Sequence, residues 1–128
     1  MGLDNGIEVK RNAYTENIQE LKVFENPWDK KYGYDFSICY WRKCWNIRND
    51  ILWSIDSRFD GQYEFELTFE DIGNIIVILM SYNEENWGNS IWEFEEIKEH
   101  LQQDIKNLQI LQDLMKKYNL EVYFYDSY

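Results

Sequence analysis

From Ile97 onward, Leu101, Ile105, Leu108, Leu111, Met115 and Tyr118 recur at spacings of three and four residues, laying one apolar stripe along more than five helical turns. A helix that long with one apolar face needs a broad partner to cover it, which constrains this chain more tightly than any other feature. The pattern predicts a helix over about 91–118, with Ser90 as its N-cap and Glu93 closing a capping box. Glu93, Glu95 and Glu96 fall in its first turns and Lys116 and Lys117 in its last, as the helix dipole favours.

The covering partner is expected to be a sheet. Tyr63-Glu64-Phe65-Glu66-Leu67, after an Asp60-Gly61 turn, alternates apolar and polar side chains, as does Tyr34-Asp35-Phe36-Ser37-Ile38. Glu121 to Tyr125 reads as a terminal strand whose natural neighbour is Tyr63–Leu67. Two further helices are predicted. Tyr40, Cys44, Ile47, Ile51 and Ile55 mark one over about 41–57, with Trp41 and Trp45 in its apolar face. Thr68 and Asp71 form a capping box for another over about 69–82, which buries Ile72, Ile75, Ile76 and Leu79. Ile7–Val9 and Leu21–Phe24 read as short strands, and Asn26-Pro27 as a turn. The fold class is therefore α+β, with three helices (about 41–57, 69–82 and 91–118) on a small, mainly antiparallel sheet including 34–38, 63–67 and 121–125. At 128 residues, 45% of them hydrophobic and only one a proline, residues 1–128 make a single domain.

The net charge of −11 is concentrated in the middle of the chain. Residues 1–55 are neutral, whereas residues 56–99 carry two basic against twelve acidic side chains, net −10. Such a balance argues against direct nucleic-acid binding, which needs clustered Lys and Arg to displace phosphate counterions. It favours a protein with a basic surface as partner. Glu64, Glu66, Glu70, Asp71, Glu84, Glu85, Glu93 and Glu96, with Glu95 and Glu99, would form an acidic band able to stand in for a nucleic-acid backbone.

Catalytic chemistry finds few candidates. His100 is the single histidine; Glu96 and Asp104, one helical turn to either side, would make an acid–histidine–acid stripe, the basis of an enzyme reading. Glu96-Ile97-Lys98 has the E-x-K shape found in metal-dependent nucleases, but no strand aspartate precedes it in the expected order. Cys39 and Cys44 have neither redox nor zinc-ligand spacing and read as buried thiols, so no metal site, cofactor or catalytic residue is expected. A second binding set is the aromatic–basic segment: Arg42, Asn46, Asn49 and Trp53, taken as one helical stripe with Trp45 nearby, would suit an oligomeric sponge that sequesters a nucleotide signalling molecule between subunits. Arg42 and Arg48 can alternatively pair with the acidic band.

There is no basic-then-apolar leader, and the longest apolar run, Ile75–Met80, is far short of a membrane span, so a cytoplasmic location is expected. A C-terminal edge strand would permit a homodimer. The segment Tyr40-Trp41-Arg42-Lys43-Cys44-Trp45, with Arg48-Asn49 and the tail Val122-Tyr123-Phe124-Tyr125-Asp126-Ser127-Tyr128, resembles an uncharacterised family of small acidic proteins of phages and mobile elements of low-GC bacteria. The single alanine, Ala13, and the abundance of Asn, Ile, Lys, Glu and Tyr fit an A/T-rich coding sequence. The resemblance implies a setting rather than an activity. Accessory genes of that kind often encode inhibitors of host defence, anti-CRISPR proteins among them, so a non-enzymatic inhibitor that mimics DNA is the leading expectation.

Overall fold

The structure, a computed structural model, describes residues 4–55, 64–88 and 91–127. In chain order it contains β1 (Asp4–Val9), α1 (Ala13–Glu16), a 3-10 helix (Gln19–Phe24), α2 (Pro27–Tyr32), β2 (Phe36–Arg42), α3 (Trp45–Ser54), β3 (Glu64–Glu66), α4 (Phe69–Met80), α5 (Phe94–Lys117) and β4 (Val122–Ser127). The strands form one antiparallel sheet in the order β2-β1-β4-β3. The α+β class therefore stands, and β4 pairs with β3 as expected: Phe65 lies opposite Phe124.

Alternation along the strands sorts the two faces of the sheet. Ile7, Val9, Phe36, Trp41, Phe65, Val122 and Phe124 point inward and are buried. They meet Ile47 and Ile51 of α3, Ile72, Ile75 and Leu79 of α4, and Leu101, Leu108 and Leu111 of α5 in one contiguous core. The outer face is polar and aromatic. There the Tyr123 hydroxyl lies 2.5 Å from Glu8 Oε1 and 2.6 Å from Asp35 Oδ2, and Lys10 Nζ sits 4.3 Å from the centre of the Tyr123 ring. One phenolic proton lies between two carboxylates, and burial raises the Glu8 carboxyl above its ordinary value.

Several boundaries differ from those read in the sequence. The first long helix begins at Trp45 instead of residue 41, because Tyr40-Trp41-Arg42 continue the strand as exposed, buried, exposed and pair with Gly6, Asn5 and Asp4. Lys43, at φ 56°, then turns the chain into α3. Leu21–Phe24 belong to the 3-10 helix rather than a strand; the buried pair Leu21 and Phe24 has its three-residue period. Asn26-Pro27 opens α2: Asn26 Oδ1 accepts the Asp29 amide at 2.8 Å, and Gly33 at φ 71° closes it. The Thr68–Asp71 capping box is present, with bonds of 2.8 and 3.1 Å. The long helix begins at Phe94, and Glu93 is its N-cap, its amide donating to Glu96 Oε1 at 2.9 Å. Ser57, the Asp60-Gly61 turn, Tyr63 and the Ser90 cap lie outside the described residues. The C-terminal strand is interior, between β1 and β3, so it offers no edge for the dimer anticipated from the sequence.

Candidate interaction face and its adjoining cleft

β2 is an edge strand, and its outward carbonyls alternate along the chain at Ile38, Tyr40 and Arg42. Each receives a side-chain donor from α5 or the segment leading into it. Asn107 Nδ2 donates to Ile38 O at 3.1 Å, His100 Nε2 to Tyr40 O at 3.1 Å, and Trp92 Nε1 to Arg42 O at 3.0 Å. A carbonyl only accepts, so His100 carries its hydrogen on Nε2 in this contact. These three side chains occupy acceptors that a foreign strand would otherwise pair with. Seven- and eight-residue steps between Trp92, His100 and Asn107 were visible in the sequence, but nothing there identified a sheet edge for them to meet.

Behind His100 the Asp104 side chain is 4% exposed. It accepts the Trp41 indole N–H at 2.8 Å and lies 3.5 Å from His100 Nε2. Burial raises the Asp104 carboxyl to about 6, with His100, Trp41 and Cys39 opposing the shift. The folded state thus binds more protons than the unfolded chain between about pH 4 and about pH 6. Stability from this group is fully present below that window and lost as pH rises through it, by up to about 3 kcal/mol. Asp104→Asn keeps an acceptor for Trp41 and removes the titration. Denaturant unfolding at pH 4.5 and 7.5 should show the variant gaining on the wild type at the higher pH; an equal difference at both would refute the assignment.

Glu96, His100 and Asp104 do share a stripe, yet each already has a structural partner: the Glu93 amide, the Tyr40 carbonyl and the Trp41 indole. The fold brings Cys44 into the same cleft wall as His100. Burial, then the charge of Asp104, pushes the Cys44 thiol up to about 11, and Cys39 is raised well above its ordinary value by burial. Neither sulfur is poised as a thiolate nucleophile.

Two hollows flank Trp92. One, about 260 Å³, is a cleft between the end of β2 and the first turns of α5, walled by Trp41, Cys44, Trp92 and Ile97, with Tyr40, Arg42, Glu96 and His100 around it. The other, about 310 Å³, lies between the α4–α5 connection and α5; Trp87, Trp92 and Phe94 supply rings and Glu84, Glu93 and Glu95 supply carboxylates. Its framework is tied down locally. Asn83 Oδ1 accepts the amides of Glu85 and Asn86, Trp87 Nε1 donates to Trp92 O at 2.7 Å, and Asn46 Nδ2 donates to Trp87 O at 2.5 Å. Glu84 and Glu95 lie within hydrogen-bonding reach of each other, which raises Glu84, while Lys98 at 2.9 Å holds Glu95 down.

The acidic band does not form one surface. Glu64, Glu66 and Glu70 sit at the β3–α4 end, where Lys10 pairs with Glu64 at 3.1 Å. Asp71 is 5% exposed and committed to the Thr68 amide, so it presents no charge to a partner. Glu84, Glu85, Glu93 and Glu96, with Glu95 and Glu99, gather at the opposite end of α4, roughly 15 Å away along the helix axis. The proposed nucleotide stripe is likewise dispersed. Arg42 is on β2 and lines the cleft; Asn46 holds Trp87; Asn49 accepts from Arg48 Nη1 at 3.3 Å; Trp53 is 78% exposed. Trp41 is core as expected, but Trp45 is 43% exposed, with the Arg48 guanidinium 5.6 Å from its ring centre. Arg48 pairs with Asp126, not with the acidic band.

Among the described residues no group of three or more His, Cys, Asp and Glu side chains is placed to hold a metal ion, and no helix is long and apolar enough to cross a membrane. Comparison with protein-family models, curated proteins and solved structures finds no match to this chain.

Proposed function

We propose that this chain is a non-enzymatic accessory protein of a phage or mobile element that acts in the host cytoplasm by covering a basic surface of a host protein, in the manner of a DNA-mimicking defence inhibitor. The observation that carries this reading is the convergence of Glu84, Glu85, Glu93, Glu95, Glu96 and Glu99 on the end of the molecule where α4 leads into α5. Lys98 is the sole Lys or Arg between residues 59 and 105, and it is paired with Glu95. An excess of carboxylates on a frame held by its own hydrogen bonds attracts a basic surface and fixes its register.

The two ends of α4 provide an internal control. A triple variant Glu85→Lys, Glu95→Lys, Glu99→Lys leaves the Glu93–Glu96 cap intact, and Glu64→Lys, Glu66→Lys, Glu70→Lys reverses the same number of charges at the far end. Immobilised wild type and the far-end variant should capture the same basic protein from a lysate of a low-GC bacterium, while the α5-end variant captures at least about tenfold less. Equal capture by all three would remove this face from consideration.

A further inference from the structure

Trp92 lines both hollows, which differ in chemistry. Several polar groups around the first are already engaged, Trp92 Nε1 with Arg42 O, His100 Nε2 with Tyr40 O, and Glu96 Oε1 with the Glu93 amide, and the Arg42 side chain also stands in its lining. Its deeper walls, Trp41, Cys44 and Ile97, are 1%, 1% and 6% exposed and carry no polar group turned to an occupant except the Cys44 thiol, which donates to Arg42 O at 3.5 Å. At about 260 Å³ it falls below the range of about 300 Å³ and upward that drug-sized ligands occupy. It is matched to one large apolar side chain.

The second hollow asks for the opposite. Glu84 and Glu95 are held close enough to share a hydrogen bond, Glu93 faces the same space, and Lys98 pairs with Glu95. A guanidinium or ammonium placed among them relieves like-charge repulsion and lies against aromatic rings, an arrangement that favours cations for a second reason.

We propose that the host segment recognised here is an extended one with a large apolar side chain two residues from an arginine or lysine: the apolar group enters the cleft on one side of Trp92 and the cation enters the acidic hollow on the other. Side chains two apart on an extended strand project from the same face roughly 7 Å from one another, which suits neighbouring hollows that have a lining residue in common. This inference rests on the acidic-face reading and narrows it from a charged patch to a two-pocket motif.

The test uses the intact protein and four capped peptides, Gly-Phe-Ser-Arg-Gly, Gly-Ala-Ser-Arg-Gly, Gly-Phe-Ser-Gln-Gly and Gly-Phe-Arg-Ser-Gly, followed by indole N–H and backbone amide shifts in NMR titrations. The first peptide should bind at least about tenfold more tightly than the other three and move the Trp92 indole signal. Glu84→Gln with Glu95→Gln should erase its advantage over the glutamine peptide alone, and Trp92→Ala its advantage over the alanine peptide. Equal binding of the phenylalanine and alanine peptides would overturn the two-pocket motif while leaving the acidic face standing. Absence of binding by all four would overturn it too, and the lysate capture above then judges the acidic face separately. A concentration-dependent dimer in sedimentation, abolished by Trp28→Ala and insensitive to peptide, would assign the hollows to the exposed Trp28–Tyr32 aromatic pair of a second copy and refute the host-segment proposal.

Discussion

Gly6→Ala is expected to cost at least about 3 kcal/mol and to lower the melting temperature by about 10 °C or more. Gly6 lies in β1, between Tyr40 of β2 and Tyr125 of β4. A Cβ there would come within 2.3 Å of the Cys39 carbonyl oxygen and 3.0 Å of the Tyr125 ring. The tyrosine can rotate away, but the carbonyl is backbone and can withdraw only if β1 and β2 separate beside the irregularity at Ile7 and Glu8. Gly33 supplies the contrast. It has φ 71° but nothing within 4 Å of its would-be Cβ, so Gly33→Ala should cost only about 1 kcal/mol. Thermal unfolding of both variants checks the ranking; comparable losses would mean that the contact with Cys39 is not the determinant.

Arg48→Ala should destabilise the chain by about 3–5 kcal/mol, and by nearly the same amount in low and high salt. Arg48 Nε and Nη2 each lie 2.8 Å from one oxygen of Asp126, a bidentate fork joining α3 to β4 across 78 positions. The side chains are 14% and 5% exposed, so removing the guanidinium leaves a carboxylate in the core without its counter-charge. Replacing both partners together, Arg48→Met with Asp126→Leu, should recover much of the loss, because the penalty belongs to the orphaned charge. Chemical denaturation of the single and double variants reads this directly. A double variant no better than Arg48→Ala would show that the fork's geometry, rather than its charge balance, holds α3 in place.

Local signals were legible wherever a run was long or a cap had its own residues. The stripe from Ile97 to Tyr118 set α5, Thr68 and Asp71 set the start of α4, and alternation set β3 and β4. Reading failed where two periods overlap. Tyr40, Cys44 and Ile47 fit a helical spacing, whereas Tyr40, Trp41 and Arg42 fit a strand, and the pairing with β1 decides for the strand as far as Arg42. That pairing was hard to foresee because β1 contains a glycine and buries the Asn5 side chain without a hydrogen-bond partner among the described residues. Such a run does not advertise itself as a central strand.

The candidate site divides along the same line. The concentration of carboxylates in the middle of the chain, the shortage of catalytic groups and the helical stripe carrying Glu96, His100 and Asp104 follow from residue types and near-neighbour spacing, because charge and helical periodicity are properties of the local chain. Which carboxylates stand together, that Asp71 is buried, that Trp92, His100 and Asn107 cover the edge of β2, and that Trp92 lines both an apolar cleft and an acidic hollow depend on contacts between residues up to some 70 positions apart. Sheet order and the antiparallel packing of α4 on α5 set those contacts, and no local pattern encodes a distance across the fold.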